Sequence, residues 1–256
     1  MKKLSLIILA VLTLSGCGLL SNINWDTAQL QEATQMALSA ATISDAQIIA
    51  LSQQTVQQLD AQNVIDNGTY AKRLSNLLAG VKDINGVAVN YKVYKLDEVN
   101  AFACGDGSIR VYSGLMDVMN DDELMAIIGH ECGHVYHQDT KRAMKNAYLA
   151  AAARGVIASA GGTTIATLSK GVLGDLGESY ISSQYSQKQE FAADEYGFQF
   201  AIDHGHTPYS MATALEKLVK LSSGTQASRV QQMFASHPDS ETRAARMREK
   251  ADKYSK

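Results

Sequence analysis

Residues 130 to 134 read His-Glu-Cys-Gly-His, and no other stretch narrows the possible folds of this chain as far. Upstream, Asp121-Asp122-Glu123 offers a cap and negative charge at a helix start, and Leu124, Ile127 and Ile128 continue an apolar face. Two histidines four apart on a helix aim their imidazoles the same way, one turn apart. Zinc accepts two such nitrogens, and Glu131 follows at the position where a carboxylate reaches a water rather than the metal.

A catalytic zinc takes a third protein ligand and keeps one position open. His137 shares a face with His130, but at a rise of 1.5 Å per residue it lies about 4.5 Å beyond His134 along the axis, too far to share the metal. A longer motif that takes its third ligand from the same segment needs Gly at 137 and His at 140, where this chain has His137 and Thr140. His137 is therefore expected at the surface or against a ligand. Glu190 is the better candidate, within Gln189-Glu190-Phe191-Ala192-Ala193-Asp194. Phe191, Phe198 and Ile202 keep a helical period that buries one face. Glu190 and Asp194, four apart, point from that helix in one direction and repel weakly on their own. A cation between the two helices removes the repulsion: Glu190 binds it, and Asp194 accepts a hydrogen bond from a ligand imidazole. Without the histidine motif the same pair reads as an ordinary solvated face.

Around these motifs the pattern is α+β and mainly helical, with a small sheet wrapped by helices. Residues 44 to 66 place Ile48, Leu51, Val56 and Leu59 on a helical period after a Ser44 or Asp45 cap, and Tyr70 to Val81 reads as a second helix. Asn85-Gly86 is a turn signal, followed by strand candidates at 87–94, 100–104 and 108–112. Residues 150 to 177 are rich in small residues and glycine. Arg154 and Lys170 bracket only fifteen residues there, too few to span a bilayer. Tight helix packing is the expectation, with a lid near the site as the alternative. The net charge is -3, and no basic stripe interleaved with aromatics appears, so nucleic acid is not an expected partner.

Lys2 and Lys3 precede an apolar run from Leu4 to Leu14 that is too short to span and fits a secretory signal. The run ends Leu14-Ser15-Gly16-Cys17, which resembles the bacterial lipobox, in which the cysteine is acylated and becomes the N-terminus. The resemblance implies a signal peptide over 1–16, a lipidated tether over 17–43 and a stable anchor on Cys17. Gly18, in place of Asp, resembles an outer-membrane sorting signal, with the chain facing the periplasm. Cys104 and Cys132 remain, read as two small buried side chains, although an oxidising compartment permits a bridge.

His130-Glu131-x-x-His134 followed by Glu190-x-x-Ala193-Asp194 resembles the membrane-associated gluzincin metallopeptidases that include HtpX, BepA and the CAAX prenyl protease. Asn100-Ala101-Phe102-Ala103, with Ile109 to Leu115, is similar to the active-site edge strand of that family. The likeness runs from about residue 44 to the C-terminus. It implies a zincin-like fold, a metallopeptidase domain over 44–256, one Zn2+ per chain on His130, His134 and Glu190, and Glu131 as general base. Asn100, Ala101, Phe102 and Ala103 would hold an extended substrate. Ser236-His237-Pro238 with Arg243 resembles an element that folds back over the zinc. There His237 either binds a transition-state oxygen or occupies the open metal position, and Arg243 stabilises a developing oxyanion. The implied activity is hydrolysis of internal peptide bonds in envelope or misfolded proteins. The alternative is a zinc-containing binding or assembly factor that rarely cuts.

Overall fold

The computed structural model describes residues 43–153 and 168–256. Helix α1 (Asp45–Gln62) starts from a capping box. The Ser44 side chain accepts the Gln47 N–H, and the Gln47 side chain accepts the Ser44 N–H. Helix α2 (Thr69–Leu77) stops short of the expected Val81. The chain turns at Ala79-Gly80 so that Leu78 and Val81 both enter the core.

Strands β1 (Asp83–Ile84) and β2 (Val87–Ala88) form a two-residue hairpin. Asn85 and Gly86 take positive φ of 51° and 81°, as that tight turn requires. The single strand expected over 87–94 is divided at Val89, because β2 pairs with β1 whereas β3 (Asn90–Tyr94) pairs in parallel with β5 (Ser108–Tyr112). Strand β4 (Ala101–Ala103) runs antiparallel to β5, giving the order β3-β5-β4. Thus β5 is central and β4 is an edge. Every residue of β5 is buried, including Arg110. Asp60 of α1 meets that charge with two bonds, from Nε at 2.8 Å and Nη2 at 3.0 Å. Tyr94 and Lys92 also donate to Asp60, each at 2.7 Å, which ties α1 to the sheet.

The rest is helical: α3 (Ser113–Val118), α4 (Asp121–Tyr136), α5 (Asp139–Ala153), α6 (Lys170–Ile181), α7 (Gln187–Asp203), α8 (Ser210–Ser222), α9 (Ala227–Ser236) and α10 (Ser240–Tyr254). The cap of α4 is Asn120 rather than the following acids, boxed with Glu123. Ser186 and Gln189 form the corresponding box at the start of α7.

Helices α4 and α7 approach through residues without side chains. A Cβ on Gly197 would stand 2.8 Å from both the Ala126 carbonyl oxygen and the His130 nitrogen. A Cβ on Gly133 would stand 3.0 Å from the Ala193 Cα. The missing methyl groups let the two backbones close, so that His130 and His134 of α4 share a site with Glu190 and Asp194 of α7.

Of the glycine-rich stretch, 154–167 lies outside the described residues. The described part supports packing: Gly177 of α6 sits against Leu59 of α1, where a Cβ would come within 2.9 Å. The signal peptide, Cys17, Gly18 and the tether up to residue 42 also lie outside the described residues. No described helix is long and apolar enough to cross a membrane. Cys104 and Cys132 are both buried and free.

Candidate metal centre

His130, Glu131 and His134 come from the buried face of α4, and Glu190 and Asp194 from the first two turns of α7. His237 caps the end of α9, and Arg243 lies in the first turn of α10. All seven side chains are buried.

One donor atom each from His130, His134, Glu190 and His237 fall within 4.8 Å of one another. The two histidine Nε2 atoms are 3.1 Å apart, and His134 Nε2 is 3.3 Å from Glu190 Oε1. His237 Nδ1 lies 3.3 Å from His130 Nε2 and 3.0 Å from Glu190 Oε1. Tetrahedral bonds of roughly 2.0 Å place neighbouring donors about 3.3 Å apart, so this set fits a small cation.

The chemistry of the donors agrees. His130 Nδ1 faces Asp194 Oδ1 at 2.9 Å, and His134 Nδ1 faces Asp139 Oδ2 at 3.1 Å. Each carboxylate holds its ring's Nδ1 as the donor and turns the two Nε2 atoms toward one another, so that a proton or a metal cation has to stand between them. Burial opposes ionisation of His134, but its bonds to Asp139 and Glu190 outweigh that and lift it to about 9. Burial lowers His130. Burial also works against the Glu190 carboxylate, yet His237, His130 and His134 hold it far below the usual carboxylate range. Glu190 is thus held as a carboxylate among the three imidazoles.

Arg243 donates to Asp194 through Nε at 2.8 Å and Nη2 at 2.6 Å, and together with His130 it brings that carboxyl down to about 2 against the opposing effect of burial. Its Nη1 stands 2.5 Å from Glu190 Oε2, a charge contact without the alignment of a hydrogen bond. The guanidinium therefore braces both acids of α7 from behind. Glu131 Oε1 is buried without a hydrogen-bond partner and lies 3.6 Å from His237 Nε2. A carboxylate oxygen in that condition is costly, and such groups concentrate where a ligand or reactant is handled.

Asn100, Ala101 and Phe102 line a cavity with Glu131 and His237, so the edge strand reaches the site. His137 is the C-cap of α4 and stays outside the donor set. Two contributors escape a reading of the sequence. Asp139, at the start of α5, accepts from His134 and from Gln189 Nε2 at 2.8 Å. Tyr185 stacks on the His134 ring, with centroids 3.9 Å apart and planes at 13°. An acid five residues after the second histidine is the only available signal for Asp139, and nothing local marks Tyr185.

Residues 70–251 match peptidase family M48. The chain is 44% identical over 240 residues to Metalloprotease LoiP of Escherichia coli (strain K12), covering 93% of this chain and 91% of that one. It is 39% identical over 217 residues to Metalloprotease YcaL of the same organism, covering 84% of each. It is also 28% identical over 226 residues to that organism's Beta-barrel assembly-enhancing protease, covering 84% of this chain and 46% of the relative.

Proposed function

The chain belongs to peptidase family M48 and is a metalloendopeptidase; we propose that it uses one zinc ion and works from a lipid anchor on Cys17. The observation that carries the metal assignment is the convergence of His130, His134, Glu190 and His237 within 4.8 Å. Two imidazoles and a carboxylate suit zinc and leave a position for chemistry.

When bound, the metal supplies Lewis acidity that polarises a peptide carbonyl and acidifies water. Glu131 Oε1 accepts the proton of the attacking water and delivers it to the leaving amine, a role suited to its lack of any other partner. Asp194 and Asp139 keep the ligand imidazoles in the required tautomer. For Arg243 the geometry favours bracing Asp194 and Glu190 over direct contact with the reacting carbonyl. Strand β4 aligns an extended substrate by its edge.

His237 Nδ1 stands among the ligand atoms and its Nε2 faces Glu131. We assign it to the fourth metal position at rest, which favours a restrained enzyme and keeps the assembly-factor alternative in view. In the zinc-loaded protein, His237→Ala is expected to raise casein cleavage; a loss of cleavage assigns His237 to the reaction instead. Internal fragments support an endopeptidase, and stepwise trimming contradicts it.

The lipobox ending in Cys17 and the following Gly18 support an outer-membrane lipoprotein facing the periplasm. Envelope or misfolded proteins are the proposed substrates. The name of the Beta-barrel assembly-enhancing protease among the relatives supports that choice.

A further inference from the structure

The register of β4 shows where a substrate strand would bond and what holds that position now. In an antiparallel pair, alternate residues exchange hydrogen bonds and the residues between them point the other way. Tyr112 N–H donates to the Asn100 carbonyl at 3.0 Å, and Cys104 N–H donates to the Ser108 carbonyl at 2.8 Å. Ala101 is opposite Val111, and Ala103 is opposite Ile109. The N–H and C=O groups of Ala101 and Ala103 therefore face away from β5, where an added strand would lie.

Two of these outward groups are engaged. Asn100 Oδ1 accepts the Ala101 N–H at 3.0 Å, and the Tyr180 hydroxyl donates to the Ala103 carbonyl. Tyr180 comes from the last turn of α6 and is buried. The cavity bounded by Asn100, Ala101, Phe102, Glu131, Tyr180 and His237 has a volume of about 10 Å³. That is room for about one water, whereas an incoming strand takes a place roughly 4.8 Å from β4 along its whole length.

The segment after Tyr180 is pinned by two bonds to the α9 region. Gln232 Nε2 donates to the Ile181 carbonyl at 3.1 Å, and Tyr185 N–H donates to the Ser236 carbonyl at 3.1 Å. At the second of these bonds the chain lays Tyr185 on the His134 ring. One short stretch thus covers both the substrate edge and a metal-ligand residue.

We propose that the Tyr180 hydroxyl stands in for a substrate backbone N–H at the Ala103 carbonyl, so that an extended peptide binds only by displacing the end of α6. The proposal rests on the reading of this site as a peptidase that aligns substrate along β4. Tyr180 is a gate on binding and takes no part in the chemistry, so its removal acts on KM and leaves kcat nearly unchanged.

The test uses the zinc-loaded full chain and a fluorescent extended peptide taken from a mapped casein cleavage site. Tyr180→Phe keeps the ring and deletes the donor. It is expected to lower KM, and to lower the peptide Kd in a Glu131→Gln background, by about fivefold, the order expected for one hydrogen bond. Hydrogen exchange on Glu131→Gln alone provides a second reading without any change at Tyr180. Saturating peptide is expected to deprotect residues 176–185 and protect 101–103. If peptide binds while 176–185 keep their protection, or if Tyr180→Phe binds no more tightly and only melts earlier, Tyr180 is a structural cap and the gate is overturned while the peptidase reading stands. If neither wild type nor variant binds or cuts an extended peptide, both fall together.

Discussion

Asp139 holds the Nδ1 of His134 at 3.1 Å from the start of the next helix, and it does so while also accepting from Gln189 of α7. The carboxylate thus links the motif helix, α5 and the helix that bears Glu190. Partners of this kind fix ligand tautomer and orientation, and their loss typically lowers metal affinity 10- to 100-fold. Asp139→Ala is expected to weaken zinc by that factor in a chelator competition, with the helical circular dichroism retained. Unchanged affinity would show that His134 is oriented by packing alone.

Gly197→Ala is expected to damage the metal site without touching a ligand. Alanine gains about 1 kcal/mol over glycine in a helix interior. Here the added Cβ meets the Ala126 carbonyl oxygen and the His130 nitrogen at 2.8 Å, main-chain atoms that cannot rotate away. Overpacking costs about 1–3 kcal/mol and outweighs the gain. The melting temperature and zinc affinity should both fall. Gly171→Ala, whose Cβ would meet only the Ser169 hydroxyl at 3.9 Å, serves as the control and should be neutral or stabilising.

The Asp60–Arg110 pair makes a pH prediction away from the metal. Burial disfavours the Asp60 carboxylate, but bonds from Arg110, Lys92 and Tyr94 outweigh it and hold its pKa below the usual value. A folded pKa below the unfolded value of about 3.9 gives stability that is complete above that pH and lost as pH falls through the folded value. Asp60→Asn leaves Arg110 buried against a neutral partner. It should cost about 3 kcal/mol in urea at pH 7, the low end for a broken buried pair because Asp60 keeps some solvent contact. The gap between variant and wild type should narrow below about pH 4. A gap that persists unchanged at pH 2 contradicts this assignment.

What the sequence reveals here is whatever repeats at helical spacing. His130 with His134, and Glu190 with Asp194, announce themselves because both residues of each pair lie on one helix. Their meeting depends on Gly133 and Gly197, whose letters are visible but whose facing partners are set by tertiary packing. Asp139 lies past the end of α4, outside any period, so only the folded chain brings it to His134. The division of β2 from β3 at Val89 was hidden for a similar reason: alternation continues through it, while the pairing partner changes. Tyr180 reads as one more apolar position of α6, and its hydroxyl acquires meaning only from the parity of β4.

The pairing of metal and base is tested most directly by measuring zinc content and casein cleavage together in wild type and Glu131→Gln. Both proteins should carry one zinc per chain, since Glu131 is not among the four converging donors. Cleavage should fall in the variant by about 10²- to 10⁴-fold, the range for loss of a general base. Full cleavage by Glu131→Gln, or wild-type protein that cuts without metal, would contradict the mechanism.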